Sequence, residues 1–475
     1  MNKKEYLTAP LPSKKTPQAM PYILISEAGE RYAFYSLMAI LAIFLKDYFL
    51  TRSGELANLS ETQVTKYVSL FQWACYFTPL LGALISDMFW GKFKTIMIFA
   101  VVFCVGFVAI TLDQTYLGVI SGLFLIATGT GIIKPCLSAN VGDQFGSSNQ
   151  HLISKAYNLF YWSVNIGATF SMFIAPIILD KYGPKWAFGT SGAAMVLATL
   201  TYWFMRKKLV HIPPKGAGFL KETLSKEGLL VIARLFFFLY LFVAVFWSLF
   251  NQTMSKWVLQ AQQMNLTFFN WSLSKETFWG KALSLVSLDT VKWDILPEQI
   301  QAVNSLLVIL MIPIFTYIIY PLINKVFPLT ALRKVALGFF ISIPSFAIPA
   351  WLEGRIDSGE LPSCWWQVLA YVFITSGEVM ISIPALEFSY TQAPKKMKSF
   401  IGSLYLLSVS LGSLFVAALN FFIQNPDGSS KLDGPAYYWF FTGFLAITGI
   451  LFCIVVQFYR GKTYIQEEAP AESKE

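Results

Sequence analysis

The sequence predicts an all-helical membrane protein with about twelve transmembrane helices in two bundles of six. Its 475 residues are 55% hydrophobic and only 13% charged, whereas a soluble domain carries about 25% charged residues. Apolar runs of roughly 18 to 28 residues, the length needed to cross a bilayer, recur along the whole chain. A polar stretch in the middle divides these runs into two sets of six.

The apolar runs give the order of the predicted helices. In the first half they begin near Tyr22, Val64, Thr95, Tyr116, Leu152 and Trp186, and in the second half near Leu229, Ile300, Val335, Trp365, Phe400 and Tyr437. Residues 206–228 are rich in Lys, Pro and Gly, a composition typical of a linker. We therefore predict an N-terminal bundle over residues 1–205, a cytoplasmic linker over 206–227, and a C-terminal bundle with a polar tail over 228–475.

The loops indicate how the chain is oriented in the membrane. Short cytoplasmic loops are enriched in Lys and Arg, and the basic residues cluster before helix one, after helices two, six and twelve, and in the loops that follow helices eight and ten. Both termini are therefore predicted to be cytoplasmic. The long outer loop over residues 262–298 contains several tryptophans, so we expect it to lie at the membrane interface. The lack of a large extracellular domain favours a bacterial inner membrane.

Composition argues against several other classes of protein. The five cysteines stand singly in apolar segments, and the two histidines, His151 and His211, have no metal-ligand spacing. We therefore expect neither a disulfide framework nor a metal or cofactor site, and no intramembrane enzyme. The net charge of +9 resides in short loops between apolar runs, so it reports topology and does not indicate nucleic-acid binding.

The first predicted helix carries three charged side chains, those of Glu27, Glu30 and Arg31. Each costs roughly 2.5 to 3.5 kcal/mol near the centre of a membrane helix, so the three must be paired or must face water. Glu27 and Arg31 are one turn apart with the acid first, the favourable order for an ion pair, and the same face continues to Tyr35 and Met38. This face predicts an ion or substrate path; the alternative is a buried salt bridge that only fixes helix packing.

A second motif closes helix two. The run Gly82-Ala-Leu-Ile-Ser-Asp87, followed by Gly91-Lys92, resembles the loop motif of the major facilitator superfamily, although Met88 stands where that motif has Arg. The resemblance implies the major facilitator fold. It also implies a gating and structural role for Asp87, whose counterpart meets a helix N-terminus and basic residues.

Helix four carries the segment Gly129-Thr-Gly131-Ile-Ile-Lys134-Pro135. Its glycines lack the Walker spacing and no other segment supplies a phosphate loop, which argues against ATP-driven pumping and favours an ion gradient as the energy source. The glycines are expected to allow close helix approach. Lys134 would be a buried ammonium that needs a carboxylate partner, for which Glu27 and Glu30 are the candidates in the same half.

Two polar side chains lie four residues apart on helix five, those of Tyr161 and Asn165. This spacing places them on one face of the helix. Their phenol and amide groups can bind a polar ligand or cross-link helices, and the sequence leaves both interpretations open. The same holds for Tyr76 in helix two.

Taken together, these motifs resemble the signatures of the proton-dependent oligopeptide transporter family. The similarity covers Glu27-x-x-Glu30-Arg31-Tyr-x-Phe-Tyr35, the segment from Lys134-Pro135 to Gln144, and Phe160-Tyr161-x-x-Val-Asn165-x-Gly167 in the first half. In the second half, Phe246-Trp247 to Gln252, Asn304, and Gly377-Glu378 to Pro394 fit the same pattern. The matches occur in order along essentially the whole chain.

The resemblance implies a role for each matched position. Glu27, Glu30 and Arg31 would form a proton-responsive group with Lys134. Glu378 would receive the peptide amino group and Lys134 would help to hold the carboxylate. The implied substrate-binding residues are Tyr35, Tyr76, Lys134, Tyr161, Asn165, Trp247, Asn304 and Glu378, and the implied gating or structural residues are Asp87, Asn251 and Glu387.

Two positions depart from the pattern of the family. Seven residues after Arg31 the family usually has a second Arg that contacts the peptide carboxylate, and this chain has Met38. In helix seven the family commonly has an acid before the Gln, linked to gating or proton movement, and this chain has Asn251, which cannot titrate. Affinity, coupling and substrate range are the properties that these changes would alter.

These features predict a symporter that imports di- and tripeptides with protons by alternating access. The proton would be the coupling ion, no other cofactor is expected, and a monomer in the lipid bilayer would be the functional unit. One alternative is a family member with changed cargo, such as an organic anion or a modified peptide, or with weakened proton coupling. A more remote alternative is a sensor that binds peptides without transporting them.

Overall fold

A computed structural model describes residues 6–214, 216, 224–272, 290–392, 398–426 and 429–459. The predicted polar tail, and parts of the predicted linker and of the 262–298 loop, lie outside the described residues.

Twelve long helices make up most of the described chain, and this confirms the predicted helical membrane fold. Several of them join α-helical segments to short π or 3₁₀ segments. Their bounds are α1 Met20–Tyr48, α2 Glu61–Trp90, α3 Lys92–Leu112, α4 Tyr116–Asp143, α5 Ile153–Tyr182, α6 Pro184–Phe204, α7 Lys226–Ala261, α8 Pro297–Asn324, α9 Ala331–Asp357, α10 Trp365–Thr391, α11 Lys398–Ile423 and α12 Pro435–Phe458.

Within the described residues, 11 of these helices are long and apolar enough to cross a membrane. The helix outside that set is α6, whose 21 residues include several Gly, Ser and Thr. Two helix junctions are tight turns at glycines with positive φ, Gly91 (74°) between α2 and α3 and Gly183 (81°) between α5 and α6. Side chains with a Cβ rarely adopt this conformation, so glycine allows these helices to follow one another directly.

The helices pack as two halves, each around its own apolar core. In the first half α1 packs against α5 and α6, and α4 packs against α2 and α3. In the second half α9 packs against α10 and α12, and α7 packs against α11. The halves meet where α2 lies against α11 and α5 lies against α8. The boundaries 1–205, 206–227 and 228–475 stay a prediction.

Glycines permit the closest helix contacts in the first half. A Cβ atom added to Gly131 would lie 1.8 Å from Thr78 Oγ1, and one added to Gly167 would lie 2.3 Å from the carbonyl oxygen of Ala28. Any larger side chain would force α4 away from α2, or α5 away from α1. The role expected for the glycines of α4 is thereby confirmed.

The 262–298 loop contains two short strands that the sequence analysis did not predict. Strand β1, Thr267–Ser272, pairs antiparallel with β2, Thr290–Asp294. We call this end of the molecule the hairpin end. At the opposite end, which we call the linker end, the backbone N–H of His211 donates to the carbonyl oxygen of Leu7 at 2.7 Å.

Hydrogen bonds and an ion pair join the two halves at the hairpin end. Lys256 of α7 pairs with Glu61 of α2. Gln262 Nε2 donates to Asp47 Oδ2 at 3.0 Å, and Gln301 Nε2 donates to the carbonyl oxygen of Ala39 at 3.1 Å. At the linker end a cavity of about 600 Å³ lies between the halves. The hairpin end is therefore closed by direct contacts between the halves, beside a surface cavity of about 510 Å³ that both halves line, and the linker end is hollow.

Candidate functional site

The three charges of α1 form one buried cluster. Arg31 Nε lies 3.1 Å from Glu27 Oε1, and Arg31 also pairs with Glu30. The side chains of Arg31 and Glu30 are each 2% exposed and that of Glu27 is 6% exposed. Since an unpaired buried charge is strongly destabilising, one guanidinium between two carboxylates offsets much of the cost of burying them.

A threonine of α4 completes this cluster. Thr130 Oγ1 donates to Glu30 Oε1 at 2.8 Å, and both residues are buried. The hydroxyl therefore ties the charges of α1 to α4. Thr130 stands between the two glycines Gly129 and Gly131 and was not predicted as a site residue; the signal that marks it is its spacing, one helical turn before Lys134.

Lys134 does not have the carboxylate partner that its burial predicted. Among the described residues no carboxylate oxygen lies within 4.0 Å of Lys134 Nζ, because Arg31 holds both candidate acids. The ammonium instead lies 4.4 Å from the ring centroid of Tyr76 and 5.4 Å from that of Phe34. Cation–π contacts of this kind stabilise a partly desolvated cation.

A central cavity of about 210 Å³ lies between the halves. It brings together seven of the eight predicted substrate-binding residues, Tyr35, Tyr76, Tyr161, Asn165, Trp247, Asn304 and Glu378. It is also lined by Met38 and Asn251, the two positions that depart from the family pattern. The eighth predicted residue, Lys134, lines the larger cavity toward the linker end.

Glu378 is held in place within the second half. Asn304 Nδ2 of α8 lies 3.0 Å from Glu378 Oε2 and 3.0 Å from Thr375 Oγ1, one turn earlier on α10. The amide thus fixes the carboxylate, and among the described residues no basic group forms an ion pair with it. A carboxylate in this position can accept hydrogen bonds from a ligand ammonium group.

Helix α7 is broken beside the cavity. Residues Asn251–Met254 form a 3₁₀ turn, and Ser255 has φ −140° and ψ −85°, which interrupts the helix. Asn251 Nδ2 donates to Ser413 Oγ at 2.7 Å, and Gln72 Nε2 donates to the Asn251 carbonyl oxygen at 3.1 Å. Asn251 therefore connects α7 with α11 and α2. A break of this kind often marks a functional hinge.

The other two predicted gating residues lie away from the central cavity. Asp87 lines the linker-end cavity, but among the described residues the ion pair there joins Lys92 Nζ to Asp143 Oδ2 at 2.6 Å and does not include Asp87. Glu387 is exposed and lines neither of these two cavities. The gating roles of both residues remain predictions.

Several residues of the site and of the contacts between the halves were not predicted, because their partners lie far away in the sequence. Gln72 and Met254 line the central cavity and contact each other, with Gln72 Nε2 3.8 Å from Met254 Sδ. Glu61 and Lys256 pair across the halves although they lie 195 residues apart. Buried or half-buried charges near helix ends were the available signal, but their pairing depends on how the two halves meet.

Two halves of six helices around a central polar cavity define a multi-pass membrane transporter. A sequence model described as the POT family matches residues 93–235 and 274–440. The chain belongs to this family, whose members are transporters and not enzymes. The family recognised from the motifs is thereby confirmed.

Individual relatives agree with this assignment. Solute carrier family 15 member 2 of Danio rerio is 31% identical over 446 residues, which cover 83% of this chain and 58% of the relative. The POT family transporter PepTSo is 30% identical with a TM-score of 0.79, covering 93% of this chain and 98% of that one. A POT family transporter solved in complex with 5-aminolevulinic acid is 18% identical with a TM-score of 0.77 over 95% of this chain and 98% of its own, and shows the shared fold. The chain spans about half the length of the curated relatives it matches.

Proposed function

We propose that the protein is a proton-coupled symporter that imports di- and tripeptides by alternating access. The observation that carries this proposal is the central cavity: it is lined by both halves and contains a fixed carboxylate, Glu378, opposite aromatic side chains of the first half. The buried cluster around Arg31 adjoins it through Tyr35, on the same helix one turn away. A ligand amine bound to Glu378 would thus lie near the titratable acids of the cluster around Arg31.

The proposed cycle couples proton binding to charge pairing. When Glu27 or Glu30 takes a proton, one carboxylate no longer needs Arg31, and the balance of charge around Lys134 changes. Glu378 holds the ammonium group of the peptide from the second half, and Lys134, at the linker-end side, meets its carboxylate. Release of the proton at the linker end restores the internal ion pairs.

The same proposal gives the setting in the cell. Both termini and the linker end face the cytoplasm, the membrane is the inner cell membrane, and the hairpin end faces outward, which agrees with basic residues around the linker end. The protein acts as a monomer, with the proton as its coupling ion and with no other cofactor. Alternating access would open the hairpin end as the linker end closes.

One experiment tests the proposal directly. Purified protein in proteoliposomes is given a labelled dipeptide and an inward proton gradient, with Lys134→Ala measured in parallel. Accumulation that disappears when the gradient is collapsed, and that Lys134→Ala lacks, supports proton symport. Wild-type protein that binds the dipeptide but never accumulates it would refute the proposal.

A second candidate is a family member with changed cargo. Met38 favours it, because the family usually has an Arg at this position that contacts the peptide carboxylate. The uncharged Met38 side chain is 1% exposed and forms part of the wall of the central cavity. Competition for dipeptide uptake by unrelated organic anions would support this candidate, and lack of competition would exclude it.

A further inference from the structure

An apolar groove lies on the surface of the second half, between α7 and α12. Its volume is about 270 Å³, and it shares no lining residue with the central cavity or the linker-end cavity. Three of its lining side chains, Phe237, Leu241 and Leu451, are 61%, 40% and 48% exposed. Since these residues belong to membrane-spanning helices, the groove opens toward lipid and not toward the transport path.

The groove offers a ligand no hydrogen bond. The one polar side chain among its described lining residues is that of Thr448, whose hydroxyl donates to the carbonyl oxygen of Phe444 in the same helix at 2.7 Å. Behind the groove, the ring of Phe242 packs against the buried ring of Phe452 at a centroid distance of 5.4 Å. The surface of the groove therefore suits a hydrocarbon chain.

The groove has nearly the length of one leaflet of a bilayer. On α7 its lining runs from Phe237 to Val245, which is about 12 Å at 1.5 Å per residue. The hydrocarbon core of a bilayer is about 30 Å thick, so each leaflet contributes about 15 Å. On α12 the lining reaches Val455, close to the end of that helix at Phe458. An acyl chain of the leaflet at the linker end can therefore lie along it.

A basic side chain stands at the linker end of this groove. Arg234 precedes Phe237 by three residues, about one helical turn, and its positive charge acts on the phenol group of Tyr459, which follows α12 directly. Among the described residues no acid forms an ion pair with this half-buried guanidinium group. The N–H donors of Arg match the geometry of a phosphate group. A phosphate at the membrane surface would thus find an unused partner here.

From these features we propose that the groove binds one anionic phospholipid of the leaflet at the linker end. The phosphate pairs with Arg234, and one acyl chain lies along Phe237, Leu241 and Leu451. Basic pockets between transmembrane helices bind anionic lipid head groups in this way. The site lies on α7, the helix that is broken at Ser255 beside the central cavity, and it does not depend on which cargo the protein transports.

Lipid binding to the purified full-length protein tests the inference. Native mass spectrometry in detergent compares dioleoyl phosphatidylglycerol with dioleoyl phosphatidylcholine, and inorganic phosphate is added as a competitor. We expect one saturable copy of phosphatidylglycerol, bound about fivefold or more tightly than phosphatidylcholine. Inorganic phosphate should not displace it, because phosphate has no chain to bury. Equal binding of the two lipids, or displacement by phosphate, overturns the inference.

Substitutions at Arg234 test the head-group contact. Arg234→Gln should weaken binding of phosphatidylglycerol by about fivefold or more and leave phosphatidylcholine unaffected, whereas Arg234→Lys should keep most of the preference. The matched control is Arg206→Gln, the same change at the linker end of α6, where the guanidinium group lies over the ring of Trp203. Equal loss in Arg234→Gln and Arg206→Gln would show that the lipid responds only to net charge, and would refute the site.

A second pair of variants tests the position of the acyl chain. Leu241→Trp fills the groove, and Leu306→Trp makes the same change at a comparably exposed position of α8 outside it. We expect Leu241→Trp to weaken binding of phosphatidylglycerol by about fivefold or more and Leu306→Trp to leave it unchanged. Wild-type binding by Leu241→Trp would mean that the chain lies elsewhere, and the inference fails. If Arg234→Gln does not fold, this pair and the ranking of the two lipids decide.

Discussion

Arg31 is the residue on which the buried charges of the first half depend. It is paired with Glu27 and Glu30, and Thr130 adds a hydrogen bond to Glu30. With both carboxylates ionised, these three side chains carry one excess negative charge, because two carboxylates share one guanidinium. A proton can remove that excess without breaking the pair that remains, which makes an acid of this cluster suited to bind and release one.

Glu30→Gln tests whether this acid couples protons to transport. The amide keeps the size of the side chain and can still accept from Thr130, but it cannot bind and release a proton. We expect labelled dipeptide to exchange with unlabelled dipeptide at close to the wild-type rate, and gradient-driven accumulation to be lost. The measurement is the accumulation ratio with and without a proton gradient, beside the counterflow rate.

The control for this variant is Glu55→Gln, the same change at an exposed loop position between α1 and α2. It should leave both rates unaltered. Accumulation that survives Glu30→Gln would remove Glu30 from the coupling role and leave Glu27 as the candidate.

At the scale of single elements, close helix contacts determine where glycine is required. Gly167 of α5 faces α1, where an added Cβ would lie 2.3 Å from the carbonyl oxygen of Ala28 and 3.0 Å from Arg31 Cβ. Gly443 of α12 has no atom within 4 Å of such a Cβ. The two positions are therefore a matched pair for one substitution.

Gly167→Ala should destabilise the protein, whereas Gly443→Ala should not. The first change forces α5 away from α1, and overpacking of this kind costs about 1–3 kcal/mol in the free energy of unfolding. The second meets no neighbour, and replacing a helical Gly by Ala gains about 0.5–1 kcal/mol. Thermal unfolding in detergent measures both, and equal midpoints would contradict the close contact between α1 and α5.

The ion pair between α2 and α7 is a second test at this scale. Lys256 is 8% exposed and pairs with Glu61 across the halves. In Glu61→Gln the ammonium group loses this partner, and burial then favours states in which the hairpin end opens to water. Spin labels at positions 55 and 358, both exposed at that end, should report a longer distance population.

Glu360→Gln provides the comparison, because it breaks the more exposed pair of Glu360 with Arg355 inside the second half. Exposed pairs contribute little, so the distance should not change. A Glu61→Gln distribution that matches the wild type would show that other contacts hold the hairpin end closed.

At the scale of the whole molecule, features within one helix were predictable and features between halves were not. The apolar runs located the twelve helices, and spacing alone paired Glu27 with Arg31. The two strands of the hairpin end were missed although residues 290–295 alternate polar and apolar side chains, because so short an alternation inside a long mixed loop was not interpreted as a strand. The close ion pair expected for Lys134 with Glu27 or Glu30 does not form because Arg31 takes both acids, a competition that depends on three-dimensional packing.

The residues that line the central cavity also divide into those that the sequence predicted and those that depend on how the halves meet. Motif resemblance supplied seven of the residues that line it, but Gln72 and Met254 could be assigned to the cavity only once α2 and α7 were seen together. The closed hairpin end could not be predicted either, since it rests on contacts between residues that are far apart in sequence. Which end is open is a property of how the halves meet.

Alternating access requires the hairpin end to open, and a cross-link across the halves should therefore stop transport. Gln262 Nε2 lies 3.0 Å from Asp47 Oδ2, and both residues are exposed. In the double variant Asp47→Cys, Gln262→Cys, a short bis-thiosulfonate reagent should abolish dipeptide uptake, and a reductant should restore it. Binding of dipeptide measured in detergent should persist, because the linker end stays open.

The control is the double variant Ser13→Cys, Ser148→Cys. Ser13 and Ser148 are hydrogen-bonded to each other within the first half at 3.0 Å, so this variant should react with the same reagent without loss of uptake. Transport by the cross-linked Asp47–Gln262 variant would mean that the hairpin end need not open, and that the two halves do not work as alternating gates.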